Sequence, residues 1–398
     1  MKGPFQAAKV TDKVYWVGAI DWDIRDFHGY ATSRGTTYNA YLIMAEKPVL
    51  IDTVKAPFTD EMLSRIASVC DPKSIRTIVS NHSEMDHSGG LPQAIELIKP
   101  EKVLASTMGV KALKGHFHWD VPVIAVKEGE KLDLGGESLA FIESRMIHWP
   151  DSMFSYLEGA GVLFSNDGFG MHLASSLRFD DETPGWQHEA AKYYANILLP
   201  FSDIVLAVLD KIARSGLSPR MIAPDHGPIF RKDVSRIVSL WGEWARQKPK
   251  NKAVVVFDTM WGSTDKLARA AAEGLIAAGV ETLVMPLRGN HRSDVATELL
   301  EAGALLVGSP TLNKQLFPTV ADVLSYLKGL RRKNLVGAAF GSYGWGGESI
   351  KLVQDALTEM GVATAEPLKC QYVPDSAALE AAYGLGQKVA VKLKEAMK

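Results

Sequence analysis

The stretch that begins at residue 253 most strongly constrains how this chain can fold. "AVVVFDT" (253–259) is an unbroken apolar run, which is typical of a parallel strand covered on both faces. A helical pattern at 265–279 follows and ends at Gly279. The alternation continues with the strand patterns "ETLVMPL", "ALLVGSP", "NLVGAAFGSYG" and "EPLKCQYV", and with helical patterns at about 293–302, "TVADVLSYLKGL", "ESIKLVQDALTEMG" and from about 376. This alternation predicts a doubly wound α/β domain.

The sequence before residue 250 shows a different order of strand and helix patterns. "RQKPKNK" (246–252) is polar and contains Pro249, so it predicts a linker. We therefore expect two domains, 1–249 and 250–398. In the first, "KVYWVGAI" and "YNAYLIMAEKPVLIDTV" predict antiparallel strands with a turn near Glu46-Lys47-Pro48. Helical and strand patterns then alternate in blocks, which fits two sheets with helices packed outside them.

Composition excludes several classes of function. The 398 residues include 44 basic and 46 acidic ones, with a net charge of −2 and no basic stripe, so nucleic acid is not an expected partner. No apolar run approaches the roughly 18 to 20 residues of a membrane span, and "MKGPFQAAKV" lacks the apolar core of a signal peptide. Cys70 and Cys370 form neither a disulfide framework nor a CxxC metal site. We expect a cytoplasmic protein without a membrane segment.

A dense cluster of possible metal ligands follows the apolar run "SIRTIVS". In "NHSEMDHSGG" (81–90), His82, Glu84, Asp86 and His87 occupy six positions. The spacing differs from HExxH, which needs two histidines one helical turn apart. The alternation at 82, 84 and 86 suits an extended or tightly looped segment, with His87 turned towards a second position. One metal does not need four ligands from so short a segment, whereas two adjacent metals could share them.

Three more candidate ligands each follow a short apolar run that predicts a strand. They are His148 in "SRMIHWPDS", Asp167 in "VLFSNDGFG" and His226 in "MIAPDHGPIF". Together with the first cluster they predict a two-metal site, with metals roughly 3.5 to 4 Å apart. Asp167 is the expected bridge, because the two oxygens of a carboxylate can each take a metal. The set has no thiolate, and Glu84 adds a hard anionic ligand, which favours iron or manganese over zinc.

The second half of the chain contains three candidate cofactor loops. "TMWGSTDK" (259–266) joins the first strand to its helix and is neither GxxxxGK[ST] nor GxGxxG. Its hydroxyls, Gly262 and the helix N-terminus favour an anion. "SPTLNKQ" (309–315) and "GSYGWGG" (341–347) follow the third and fourth strands at the ligand-binding edge of such sheets. The predicted cofactor-binding residues are Thr259, Met260, Trp261, Gly262, Ser263, Thr264, Pro310, Thr311, Leu312, Asn313, Ser342, Tyr343, Gly344, Trp345, Gly346 and Gly347.

These motifs together resemble one known family. Strand-His-x-[His or Glu]-x-Asp-His with a distant His, Asp and His resembles the metallo-β-lactamase fold, an αββα sandwich; its zinc hydrolases usually carry His where this chain has Glu84. "NHSEMDHSGG", "HWPDSMFSY", "SNDGFG" and "DHGPI", followed by a flavodoxin-like domain, closely resemble the flavodiiron proteins (A-type flavoproteins) over essentially the whole chain. The three loops of the second half resemble the phosphate and isoalloxazine loops that hold FMN, on a sheet with strand order 2-1-3-4-5.

The resemblance implies specific roles for the residues. One iron is expected on His82, Glu84, His148 and Asp167. The other is expected on Asp86, His87, Asp167 and His226, although some family members leave the residue that matches His87 unbound. His28 in "RDFHGY" and Tyr193 in "KYYANIL" match positions that line the pocket over the irons.

The resemblance also implies a reaction and partners. We expect reduction of O2 to water, of NO to N2O, or of both, with FMN relaying electrons from a separate donor such as rubredoxin. A head-to-tail homodimer, or a dimer of such dimers, is expected. No CxxC pair and no nicotinamide fingerprint appear in the sequence. Two alternatives remain open from the residues: a metallo-hydrolase fused to a flavodoxin-like binding module, and an electron carrier or scaffold with a vestigial metal site.

Overall fold

The computed structural model describes residues 3–398, and contacts group them into two compact units. The first unit takes residues 3–27, 32–193 and 203–242, and the second takes 28–31, 194–202 and 243–398. The predicted domain boundary between 249 and 250 stays a prediction. Within the described residues, no helix combines the length and the apolar character needed to cross a membrane.

The strands before residue 242 lie in the first unit, apart from the strand Tyr30–Ala31, whose residues fall in the second. The strands that precede residue 242 are β1 (Ala8–Lys9), β2 (Val14–Trp16), β3 (Ala19–Asp21), β4 (Asp26–Phe27), β5 (Tyr30–Ala31), β6 (Thr36–Tyr38), β7 (Tyr41–Ile43), β8 (Val49–Ile51), β9 (Thr77–Ser80), β10 (Lys102–Ser106), β11 (Val123–Val126), β12 (Lys131–Asp133), β13 (Ser138–Glu143), β14 (Met153–Leu157), β15 (Val162–Phe164) and β16 (Met221–Ala223).

The helices of the same part of the chain lie between these strands. They are α1 (Thr59–Val69), α2 (Met85–Ser88), α3 (Leu91–Ile98), α4 (Thr107–Phe117), α5 (Trp186–Tyr193), α6 (Ser202–Arg214) and α7 (Val234–Ala245). Short 3-10 segments occur at Ala56–Phe58, Pro72–Ser74 and Leu199–Phe201, and Tyr194–Leu198 forms a π-helical turn.

Two sheets of the first unit face each other across one apolar core, which confirms the expected αββα sandwich. The first sheet has the order β1-β2-β7-β8-β9-β10-β11 and the second the order β12-β13-β14-β15-β16. Their inner faces pack together through buried residues such as Ile51 and Val79 of one sheet and Phe141 and Phe164 of the other. The outer face of the first sheet is covered by α1, α3 and α4, because their apolar stripes must be buried.

The second unit is a parallel sheet with helices, as the alternating pattern predicts. Its strands are β17 (Lys250–Phe257), β18 (Glu281–Pro286), β19 (Ala302–Gly308), β20 (Val336–Tyr343), β21 (Ala363–Thr364) and β22 (Leu368–Gln371), and its helices are α8 (Ser263–Ala277), α9 (Arg292–Leu299), α10 (Pro318–Leu330), α11 (Glu348–Glu359) and α12 (Ser376–Ala396). The order β18-β17-β19-β20, with β21 and β22 both pairing with β20, is the predicted order 2-1-3-4-5.

Some local predictions are wrong. β17 begins at Lys250, inside the predicted linker 246–252. The fifth strand is divided into β21 and β22, with Ala365, Glu366 and Pro367 between them. Met85–Ser88 forms one helical turn rather than an extended or looped segment. The polar pattern of these segments carries no information on which backbone groups meet a neighbouring strand, so tertiary contacts decide these boundaries.

Candidate diiron centre and flavin site

The seven predicted metal ligands come together in the first unit. Four of them come soon after strands, namely His82 and Glu84 after β9, Asp167 after β15 and His226 after β16, while His148 lies further along the connection that follows β13. Asp86 and His87 lie on α2. The ligating atoms form two groups in which all atoms lie within 4.8 Å of one another, namely His82, Glu84, His148 and Asp167, and Asp86, His87 and His226.

Asp167 connects the two groups. Its Oδ2 lies 3.2 Å from Nε2 of His82 and 3.2 Å from Nε2 of His148. Its Oδ1 lies 3.2 Å from Nε2 of His87 and 3.5 Å from Nε2 of His226. Each oxygen of this buried carboxylate therefore faces a different pair of imidazoles, which is the arrangement that a bridging ligand requires.

The other two carboxylates each serve one group. Oε2 of Glu84 lies 3.4 Å from Nε2 of His82 and 3.2 Å from Nε2 of His148. The two oxygens of Asp86 lie 3.3 Å from Nε2 of His87 and 3.1 Å from Nε2 of His226. The helical turn of α2 places Asp86 and His87 in the second group, while Glu84, which precedes that turn, belongs to the first.

The electrostatics of this cluster favour positive charge. Burial by itself would lower the pKa of His87, but the nearby charges of Asp86 and Asp167 raise it to about 10. Burial would also lower the pKa of His148, but its close contacts with the carboxylates of Asp167 and Glu84 raise that pKa to about 9. The pKa of Asp167 lies well below its usual value because burial is overcome by His87 and the other imidazoles. The raised pKa values of His87 and His148 and the lowered pKa of Asp167 have one cause, which is that buried carboxylates attract positive charge here.

Aromatic side chains line the second group. Tyr193 is buried, and its hydroxyl donates a hydrogen bond of 2.8 Å to Oδ1 of Asp167. The ring of His172 lies 4.8 Å from that of His226, 5.0 Å from Tyr193 and 4.8 Å from Phe27. Nδ1 of His172 is 2.9 Å from the hydroxyl of Thr36. His172 is not among the predicted site residues, and only the fold brings it here.

The predicted pocket residues differ in where the structure places them. Tyr193 lies at the cluster, as expected. His28 belongs to the second unit and has a left-handed backbone with φ of 54°. Its role over the metals stays a prediction.

The second unit has a cavity of about 700 Å³ at the carboxyl edge of its sheet. Twelve of the sixteen predicted cofactor residues line it: Met260, Trp261, Ser263, Pro310, Thr311, Leu312, Asn313, Ser342, Tyr343, Gly344, Trp345 and Gly346. Trp261 and Trp345 are 94% and 93% exposed at its rim. Tyr372 and Val373, after β22, also line it but were not predicted, although they follow the fifth strand as the other loops follow theirs.

The four remaining predicted residues support the loops without lining the cavity. Thr264 is buried, and its hydroxyl lies 2.9 Å from that of Ser342. The hydroxyl of Thr259 accepts a hydrogen bond of 3.0 Å from the backbone N–H of Gly262. Gly262 is the N-cap of α8 with φ of 85°, and Gly347 directly precedes α11.

Comparisons with known proteins agree with both sites. Residues 36–227 match the family model described as ODP family beta lactamase, and residues 255–386 match the flavodoxin model. A nitric oxide reductase of Moorella thermoacetica is 46% identical, with 98% of this chain and 99% of that protein covered. The rubredoxin-oxygen oxidoreductase of Megalodesulfovibrio gigas is 47% identical, with 98% of each covered.

Solved structures show the same likeness over the whole chain. The rubredoxin oxygen:oxidoreductase of Desulfovibrio gigas has a TM-score of 0.97 at 46% identity, covering 98% of this chain and all (100%) of that one. The flavodiiron protein of Giardia intestinalis has a TM-score of 0.96 at 32% identity, covering 100% and 99%. This chain belongs to the flavodiiron family. The expected family and two-part fold are confirmed.

The residues present fit the cofactors of a flavodiiron protein. Both carboxylate oxygens of Asp86, both ring nitrogens of His87 and Oδ2 of Asp167 are buried without a hydrogen-bond partner among the described residues. Leaving buried polar atoms in that state is costly, and metal ions on the same atoms would satisfy them. For the flavin, the N-terminus of α8 has no side-chain cap, so its backbone N–H groups are available to a phosphate.

Proposed function

We propose that this flavodiiron protein reduces O2 to water, NO to N2O, or both, at a diiron site, with FMN as its electron relay. The observation that carries the proposal is Asp167, whose two oxygens face two separate pairs of imidazoles. A vestigial site would not be expected to keep seven ligating side chains converged in a buried cluster. Glu84 in the first group supports iron over the zinc of a hydrolase.

The protein holds each cofactor with identifiable groups. The seven side chains of the two groups would hold two irons, and the loops that line the cavity of the second unit would hold FMN. When bound, the two irons and the reduced flavin together supply four electrons, which is what reduction of O2 to two waters needs and twice what coupling of two NO to N2O needs.

The side chains around the cluster orient a metal ligand, hold a hydrogen atom near the bridging carboxylate and exclude water. Nδ1 of His226 lies 2.6 Å from the backbone oxygen of Thr37, which fixes its ring with Nε2 towards the cluster. The hydroxyl of Tyr193 keeps a hydrogen atom next to the bridging carboxylate, where a reduced oxygen or NO product needs protons. Burial of His172 and Tyr193, whose rings lie against His226, keeps bulk water away from this side.

We further propose a separate electron donor, cytoplasmic location and a head-to-tail dimer. The donor proposal follows from the sequence, which shows no nicotinamide fingerprint, and from the relative named for rubredoxin. Two free thiols suit a reducing compartment. Trp261 and Trp345 at the cavity rim are almost fully exposed, and exposed apolar side chains of this size favour a protein interface.

The test measures the iron and FMN content of the protein and the route by which electrons reach the flavin. Purified protein should contain about two irons and about one FMN per chain. In anaerobic stopped-flow, NADH alone should bleach the flavin slowly or not at all, and adding a rubredoxin with its reductase should bleach it rapidly. The reduced protein should then consume O2 and NO, and the two rates rank the substrates. Two zinc ions with no flavin would refute the proposal, and fast bleaching by NADH alone would refute the separate donor.

A further inference from the structure

The deeply buried histidines of the cluster are held in a common way. Nδ1 of His82 is 3.1 Å from Oδ2 of Asp151, and Nδ1 of His226 is 2.6 Å from the backbone oxygen of Thr37. In both residues this leaves Nε2 directed at the carboxylates that face the metals. A ligating imidazole usually donates its second ring N–H in this manner, which fixes both the tautomer and the ring orientation.

His87 also has a buried oxygen near its Nδ1, but the contact is longer than those of His82 and His226 and lacks hydrogen-bond geometry. Its Nδ1 lies 3.3 Å from Oδ2 of Asp225, while its Nε2 faces Asp86 and Asp167. Among the described residues, Nδ1 of His87 has no partner with hydrogen-bond geometry. Once a metal occupies Nε2, Nδ1 must carry the hydrogen, and Asp225 is the carboxylate placed to accept it.

The side chain of Asp225 makes no hydrogen bond to any other described residue. It is fully buried, and neither of its carboxylate oxygens has a hydrogen-bond partner among the described residues. Its backbone is fixed, because its N–H donates to Asn166 and its carbonyl accepts from the N–H of Asn39, each at 2.7 Å. The neighbouring buried acid Asp52 differs, since its oxygens accept from the backbone and the side chain of Asn81 at 2.6 and 2.9 Å. A buried carboxylate without hydrogen bonds lowers the stability of the folded protein, so we expect Asp225 to have a role that offsets this loss.

We propose that Asp225 is a positioning residue that holds His87 as a ligand of the second metal. This inference rests on the proposed diiron function. Asp225 accepts the hydrogen bond from Nδ1 and thereby keeps Nε2 aimed between Asp86 and Asp167. Without that acceptor the His87 ring loses the contact that fixes its orientation, and the second metal keeps only Asp86, His226 and the bridging Asp167.

The test uses metal-free protein and a spectroscopic probe rather than turnover. Apo-protein is titrated with Co²⁺, and two successive Kd values are obtained from the visible d–d bands in competition with a chelator. Asp225→Ala should raise the Kd of the ion in the second group, and so one of the two Kd values, about 10- to 100-fold. Asp225→Asn should raise it less, because the amide oxygen still accepts a hydrogen bond.

A double-mutant cycle shows whether Asp225 acts through His87. In a His87→Ala background, Asp225→Ala should cause no further change in either Kd. Asp151→Asn is the matched control: it removes the carboxylate behind His82, so it should weaken the ion of the first group equally in both backgrounds. Unchanged Kd values in both Asp225 variants, or an equal loss with and without His87, would overturn the proposal.

Two further outcomes remain interpretable. If Asp225→Ala does not fold, as judged by far-UV circular dichroism, Asp225→Asn with and without His87→Ala completes the cycle. Wild-type protein that binds two Co²⁺ ions yet reduces neither O2 nor NO after iron loading would refute the proposed function and leave the Asp225 test intact. Loss of the second Co²⁺ site in Asp225→Ala, with gas reduction by the wild type, would support both.

Discussion

At the residue scale, the cluster depends on one side chain that serves both halves. Asp167 faces His82 and His148 with one oxygen and His87 and His226 with the other. It is also fully buried and accepts from Tyr193, so its position does not depend on solvent. The carboxylate of Glu84, by contrast, lies 3.4 Å from His82 and 3.2 Å from His148, both of which belong to the first group. Substitution of Asp167 should therefore affect both metals, whereas substitution of Glu84 should affect one.

We predict that Asp167→Asn loses or loosens both irons, whereas Glu84→Gln weakens one. A neutral amide bridges two cations poorly, and it presents one oxygen where the carboxylate presents two. Iron content by mass spectrometry should fall to less than half in Asp167→Asn and to about one ion per chain in Glu84→Gln. Flavin content should stay unchanged in both variants and serves as the folding control. Full iron and full activity in Asp167→Asn would contradict its bridging role.

At the element scale, the flavin site is formed by loops that follow parallel strands at one sheet edge. β17, β19 and β20 are adjacent, so the loops after them meet at the cavity. The loop after β17 reaches α8 through Gly262, whose φ of 85° lies in the left-handed region. A side chain there meets no other atom within 4 Å, so any cost of substitution comes from the backbone conformation.

Two Gly→Ala substitutions should therefore have opposite effects on stability. Gly262→Ala should destabilise by about 1 kcal/mol, because L-residues with a Cβ disfavour this conformation, and should raise the Kd for FMN by at least several-fold. Gly384→Ala, inside α12 and also free of contacts within 4 Å, should stabilise by roughly 0.5–1 kcal/mol without changing that Kd. Urea unfolding of flavin-free protein and flavin fluorescence quenching measure the two quantities. A Gly262→Ala protein with normal FMN affinity would show that FMN binding does not require glycine at the N-cap of α8.

At the scale of the whole molecule, the metal cluster and the flavin cavity lie in different units of the chain. The first unit holds all seven metal-ligand candidates, and the second holds the cavity with its exposed Trp261 and Trp345. Electrons must pass between the two cofactors during turnover. The proposed head-to-tail dimer supplies a path from the flavin of one subunit to the irons of its partner.

Hybrid dimers test that path. Subunits with His82→Ala lack an intact iron site, and subunits with Ser263→Ala and Thr264→Ala are impaired in FMN binding. Each homodimer should be inactive, whereas each mixed dimer should recover up to about half of the activity of a wild-type dimer, because it keeps one of the two flavin-to-iron paths. Mixing wild-type with each variant controls for exchange. Well-mixed hybrids without recovered turnover would show that electrons stay within one chain.

The sequence by itself determined the chemistry of this protein and the identity of its elements. Apolar runs alternating with helical periods predicted the parallel sheet, because burial on both faces is a local property of such segments. The ligands were visible because histidines and carboxylates stood directly after strands, as at His82, Asp167 and His226. Only the tertiary structure decided which oxygen of Asp167 faces which pair of imidazoles, and that α2 places Asp86 and His87 in the second group. It also decided that the carboxylate of Asp225 lies next to Nδ1 of His87, although the two residues are 138 positions apart in the chain. Such contacts depend on strand order and register, which join residues far apart in sequence and leave no local pattern to read.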